Sequence, residues 1–244
     1  MLPVTRIVEK PSPNDPAAWP YQLPCVQGLL RDGLELGPLT VLVGENGAGK
    51  STLIEAIAMA YGLNAEGGST HARHSTHASE SPLWKSLRVE RGIGANRWGF
   101  FLRAETMHGF YTYLADNPGR DVNFHALSHG ESFIEILRTR FNGPGLYLLD
   151  EPESALSFTG CLALVDLLRD LAATGTAQVI VATHSPVIAA IPGATIYEVS
   201  DAGLNRCDWE DLALVRYWAQ FMNDPGRFLN QLPTNDEASR HRPT

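Results

Sequence analysis

Eight consecutive residues, Gly44-Glu45-Asn46-Gly47-Ala48-Gly49-Lys50-Ser51, follow the pattern G-x-x-x-x-G-K-[ST]. Glycines at these places let backbone N–H groups turn inward on an anion. A helix starting here would aim its positive end at the same anion. Lys50 is placed to reach the outer phosphates of a nucleotide, and the Ser51 hydroxyl to ligate Mg²⁺. Thr52 closes the candidate binding segment. Far downstream, the apolar run Leu146-Tyr147-Leu148-Leu149 ends in Asp150 and Glu151. At the carboxyl edge of a sheet, Asp150 would share the metal with Ser51. Glu151 would orient or deprotonate a water. Taken without the glycine loop, the same pair reads equally well as two acids at a solvated strand end.

Two further segments carry polar groups at the ends of elements. Leu127-Ser128-His129-Gly130-Glu131 precedes a run of helical spacing. Ser128 and Gly130 either offer a hydroxyl and backbone N–H groups to a phosphate, or Ser128 forms a capping box with Glu131. Thr183-His184-Ser185-Pro186 follows an apolar strand. That places His184 on the ligand side of a parallel sheet, with a structural histidine as the alternative.

The elements that must position these residues are legible from apolar spacing. Leu39 to Val43 is a buried-strand run ended by Gly44, and Ser51 to Tyr61 has helical spacing through Leu53, Ile54, Ile57 and Ala58. Residues 1 to 37 read as short strands and turns. Leu63 to Ser81 reads as a loop or lid, and Leu87 to Leu114 as strand-rich. Helical spacing resumes through Phe133, Ile134, Ile136 and Leu137, and Gly143-Pro144-Gly145 breaks it. A strand at 146–149, a helix over 157–173, a strand at 178–182, a short helix near Val187, a strand at 195–199 and a helix over 211–222 complete the order. This alternation predicts an α/β fold, a mostly parallel sheet flanked by helices.

Composition narrows the function classes. The 244 residues are 44% hydrophobic and 19% charged, which excludes disorder along the whole chain. The net charge of −8 argues against a coat of basic residues for nucleic acid. It is uneven, however: residues 69–123 are net +2 and the rest net −10. Cys25, Cys161 and Cys207 are too far apart to frame a disulfide core or a metal site. No apolar run approaches the roughly 20 residues of a membrane helix. The first residues carry no apolar leader, so a cytoplasmic protein with no direct membrane insertion is expected. Only three lysines occur (Lys10, Lys50 and Lys85) against sixteen arginines.

The order of glycine loop, Leu-Ser-His-Gly-Glu, apolar-Asp-Glu-Pro and strand-plus-His resembles the ATP-binding-cassette (ABC) superfamily of P-loop ATPases. The resemblance covers about Leu39 to Val199, with 22 residues from Ser128 to Asp150 and 34 from Asp150 to His184. It implies ATP and Mg²⁺ as cofactors and an ATP-driven head-to-tail homodimer. Ser128 of one copy would contact the γ-phosphate held by Lys50 of the other. Glu151 would be the general base and His184 the γ-phosphate sensor. It also implies an N-terminal antiparallel β part and an inserted subdomain carrying the signature. A single ATPase domain over 1–232 is expected, with the insertion at about 63–142 and a flexible tail at 233–244.

Departures from the transport branch point elsewhere within the superfamily. No Gln lies between Lys50 and Gln178, so the glutamine of the transporter loop is missing. Glu105, after Phe100-Phe101-Leu102-Arg103-Ala104, either substitutes for it as a polar or metal-facing ligand or is a buried strand-end acid. Ser157 stands where transporters carry an aspartate. In these respects the chain is similar to soluble SMC, RecF and OLD-type ATPases of DNA repair and defence, often described as AAA family ATPases. DNA or another protein is then the expected partner; the alternatives are the nucleotide-binding subunit beside a membrane permease and a nucleotide-gated binding switch with negligible turnover. His71, His74 and His77, with Arg73 among them, form a metal site, a contact to an anionic partner, or a solvated loop. Trp19 or Tyr21 either stacks on adenine or packs in the core.

Overall fold

The computed structural model describes residues 1–12, 14–69, 81–103, 134–135, 137–139 and 141–231. Its elements in chain order are β1 (Arg6–Glu9), α1 (Pro24–Asp32), β2 (Leu34–Glu35), β3 (Leu39–Val43), α2 (Lys50–Tyr61), β4 (Gly68–Ser69), β5 (Leu87–Glu90), β6 (Gly99–Arg103) and β7 (Gly145–Asp150). They continue with α3 (Phe158–Ala173), β8 (Ala177–Thr183), α4 (Pro186–Ala189), β9 (Thr195–Ser200), β10 (Gly203–Arg206), α5 (Ala213–Asn223) and α6 (Pro225–Leu229).

The large sheet has seven strands in the order β10-β9-β3-β8-β7-β6-β4, and a smaller antiparallel sheet has the order β2-β1-β5. β9, β3, β8, β7 and β6 run parallel, while β10 and β4 pair antiparallel at the two edges. The α/β expectation and the N-terminal antiparallel part therefore both hold among the described residues.

β3, β7 and β8 are buried along their whole length because both sheet faces are covered. Alternate side chains serve the two faces. Leu42, Leu146, Leu148, Ile180 and Ala182 pack with Leu53, Ile54 and Ile57 of α2. Val41, Val43, Tyr147, Leu149, Val179 and Val181 pack with Leu164, Leu168 and Leu171 of α3. A period of two in each strand and about 3.6 in each helix is what fixes this layering. Parallel strands place their carboxyl ends on one edge, so Gly44, Arg103, Asp150 and His184 all leave the sheet on the same side.

Three sequence expectations need revision. Residues 24–32 form a helix rather than strands and turns, with Cys25, Val26 and Leu29 buried. Pro24 occupies the first helical turn, where a missing N–H costs nothing. Residues 68–69 of the expected loop pair with Phe100 and Phe101 as an edge strand. β10, absent from the expected order, folds back on β9 after a turn at Asp201–Ala202. Among the described residues no helix is long and apolar enough to cross a membrane.

Candidate functional site

β3 delivers the chain into the glycine loop, and the loop delivers it into α2. Gly44 leaves the strand so close to β9 that a Cβ there would lie 2.2 Å from the Val199 carbonyl oxygen. Gly47 and Gly49 have φ of 82° and 101°, the region glycine tolerates without strain. A Cβ on Gly49 would also meet the Cys25 sulfur of α1 at 2.6 Å. Glu45, Asn46 and Gly47 are exposed, Ala48 and Gly49 half-buried. Gly49 provides no side-chain cap to α2, which leaves its first N–H groups available to an anion.

The predicted chemical residues converge on the end of this loop. Ser51 Oγ donates to Asp150 Oδ1 at 3.1 Å, across 99 residues of sequence. Lys50, buried at 3% exposure, donates from Nζ to the Glu45 carbonyl at 2.9 Å. Its Nζ also lies 3.7 Å from Glu151 Oε1. Glu151 Oε1 in turn lies 3.8 Å from His184 Nδ1. Lys50, Ser51, Asp150, Glu151 and His184 thus form one cluster, with Thr52 half-buried on the next helical position. Glu151 is held at φ 50° and ψ 49°, a left-handed conformation found in no other non-glycine residue among those described. Such backbone strain gathers at sites where it aims a side chain.

Ser51 and Asp150 supply one hydroxyl and one carboxylate. Among the described residues no cluster of three His, Cys, Asp or Glu side chains forms a metal cage. That sparse donor set suits Mg²⁺, which keeps several waters and takes further oxygens from phosphates.

A second cation stands beside Asp150, one that no motif announces. Arg103, at the end of β6, lies opposite Asp150 in the strand register. Its Nη1 donates to Glu55 Oε2 at 2.9 Å and to the Ala65 carbonyl at 3.0 Å, and its Nε lies 4.0 Å from Asp150 Oδ2. Glu55 lies four residues after Ser51 on α2, hence on the same helical face. The i, i+4 spacing is a usable signal for Glu55, whereas Arg103 requires the strand register.

Burial pushes the Asp150 carboxyl from 3.8 up to about 6. Arg103, the Ser51 hydrogen bond and Lys50 oppose that shift, while Glu151 adds to it. A carboxyl that protonates more easily in the folded chain contributes stability at low pH and loses it as pH rises through about 6. On the alkaline side the buried carboxylate costs about 3 kcal/mol. Asp150→Asn is therefore expected to raise the Tm of the nucleotide-free protein near pH 8. The gain should shrink to near zero by about pH 4, which thermal denaturation at both pH values will check.

Ser157 caps α3 by accepting from the Gly160 N–H at 3.2 Å, which gives the substituted aspartate position a local structural use. Tyr21 is buried and its hydroxyl meets Ser86 Oγ at 3.0 Å, the packing alternative, while Trp19 is 52% exposed. Ser128, Gly130, Glu105, His71, His74 and His77 lie outside the described residues.

Comparison with known proteins gives consistent findings. A family model described as ABC transporter matches residues 32–154, half of the chain. The ribose import ATP-binding protein RbsA 1 of Burkholderia cenocepacia (strain HI2424) is 32% identical over 192 residues, covering 68% of this chain and 36% of that protein. The chain therefore spans about a third of the length of the first curated relatives it matches. Among solved structures, an inward-facing metal-chelate type ABC transporter has a TM-score of 0.49 at 18% identity, covering 91% of this chain and 90% of the other. The SMC head domain from Thermotoga maritima has a TM-score of 0.42 at 16% identity, covering 72% and 93%.

Proposed function

The chain belongs to the ABC transporter family, and on that premise we propose that it binds Mg²⁺-ATP and hydrolyses it to ADP and phosphate. The observation that carries this is the meeting of Ser51 with Asp150 beside Lys50 and Glu151. Lys50 and the N–H groups of Gly44–Ser51 hold the phosphates. Ser51 and Asp150 hold Mg²⁺, which when bound polarises the phosphoryl oxygens. Glu151 takes the proton of the attacking water, and His184 meets the γ-phosphate. Ser128 and Gly130 of a second copy complete each site, so that ATP joins two copies head-to-tail and hydrolysis releases them.

Steady-state phosphate release from the whole chain tests this reading. Release should require both ATP and Mg²⁺ and should stop on chelation. A preparation that shows no Mg²⁺-dependent release would overturn it.

Two readings of the partner stand on different observations. A cytoplasmic role in DNA maintenance or defence is supported by Ser157, the absence of Gln between Lys50 and Gln178, and the net +2 charge of residues 69–123. A role as the ATP-binding subunit beside a membrane permease is supported by the import ATP-binding proteins among its relatives. Binding of double-stranded DNA that strengthens with ATP favours the first. Co-purification with a membrane protein favours the second.

A further inference from the structure

A second acid stands behind His184, and neither the family match nor the sequence motifs give it a role. Glu153 lies on the single 3₁₀ turn Pro152–Ala155, three residues beyond Asp150. Its side chain is only 7% exposed. One carboxylate oxygen, Oε1, accepts from the Thr183 hydroxyl at 2.5 Å and from the His184 backbone N–H at 2.7 Å. The Thr183 hydroxyl is free to donate, because its own oxygen accepts from the Ser185 N–H at 2.9 Å. The same Oε1 lies 3.4 Å from His184 Nδ1.

The surroundings of Nδ1 decide which ring nitrogen carries the proton. Nδ1 is sealed from solvent and makes no aligned hydrogen bond. The side chain as a whole is 42% exposed, so the exposed portion falls on the rest of the ring. Among the described residues, the charged groups facing Nδ1 are Glu153 at 3.4 Å and Glu151 at 3.8 Å. A ring lone pair lying close to two carboxylates is repelled, whereas an N–H is attracted. Holding a histidine by one nitrogen fixes both its tautomer and the direction of the other nitrogen.

We propose that Glu153 is the positioning residue of His184, holding the ring with its proton on Nδ1 and presenting Nε2 to the nucleotide. The proposal rests on the reading of His184 as the residue that meets the γ-phosphate. Nε2 then accepts a hydrogen bond from a water that bridges it to the γ-phosphate. A neutral histidine side chain free in water favours the opposite tautomer, so the protein must impose this one.

The test is the tautomer of His184, read from two-bond ¹H–¹⁵N spectra of the whole protein labelled with [¹⁵N]histidine. Spectra are taken on the alkaline side of the ordinary imidazole range, and His184 is assigned by signal loss in His184→Ala. The expected result is a proton on Nδ1 in the wild type and in Glu153→Gln, and a shift toward Nε2–H in Glu153→Leu. Glutamine should succeed because two donors already hold Oε1 as an oxygen. In phosphate release, Glu153→Leu should lower kcat about 10- to 100-fold with KM little changed. Glu153→Gln should recover most of that loss, and Glu153→Leu should add nothing in a His184→Ala background. A wild-type ring with its proton on Nε2 alone overturns the proposal, and so does a tautomer unmoved by Glu153→Leu. If Glu153→Leu does not fold, the wild-type and Glu153→Gln spectra still decide. An Nδ1–H spectrum in a protein that releases no phosphate would remove the hydrolytic reading and leave the Glu153 assignment standing.

Discussion

Replacing Lys50 by alanine is expected to lower Mg²⁺-dependent phosphate release by about 10³-fold, or about 4 kcal/mol of transition-state stabilisation. The side chain is buried at the start of α2 and its Nζ is already aimed at the mouth of the loop, 2.9 Å from the Glu45 carbonyl and 3.7 Å from Glu151. In the proposed site an arriving nucleotide would exchange these contacts for phosphate oxygens. Alanine removes the cation and leaves Glu151 facing the incoming phosphates without compensation. Lys50→Arg should restore little. The guanidinium is planar and broad, while Lys50 occupies a nearly solvent-free slot beside the loop. The scarcity of lysine points the same way: sixteen of the nineteen Lys and Arg residues are arginine, yet this position is lysine. Phosphate release, with binding of a fluorescent ATP analogue and Tm measured alongside, checks the prediction. Loss of less than about tenfold in a folded variant would remove Lys50 from the phosphate site.

Much of the fold and part of the candidate site are legible in the order of the amino acids. β3, β7, β8 and β9 declare themselves as short apolar runs bounded by turn residues, and α2 and α3 by apolar residues at helical spacing. The loop and the Asp150-Glu151 pair declare themselves because their chemistry is local in sequence. Arg103 does not, because its partner is set by the register of β6 on β7, and strand order is not a local property. Glu105, the acid near the missing glutamine, lies outside the described residues, and Arg103, two positions earlier, stands beside Asp150. Glu153 is hidden by its neighbours. In Asp150-Glu151-Pro152-Glu153 the first two acids satisfy the motif, and only the fold shows the fourth residue reaching back to Thr183 and His184. Helix α1 is hidden by Pro24, although its Cys25 supports the underside of the glycine loop through the contact with Ala48.

Glu151→Gln is expected to separate binding from hydrolysis. A general base contributes about 10² to 10⁴ in rate, and glutamine keeps the shape of the side chain while losing its basicity. The left-handed backbone at Glu151 aims the carboxylate between Lys50 and His184, and the substitution leaves that backbone in place. Removing one negative charge next to the phosphates should hold or tighten ATP binding. Phosphate release should therefore fall by about 10³-fold while binding of Mg²⁺-ATP stays within a few-fold of the wild type. If ATP joins two copies, the stalled variant should accumulate as a dimer on addition of ATP. Light scattering should show the mass double, and Lys50→Ala in the same background should abolish the change. A variant that binds ATP but remains a monomer would dismiss the head-to-tail arrangement while leaving the single-chain site intact. A variant that still releases phosphate at the wild-type rate would show that the water is activated by another group, with His184 the next residue to replace.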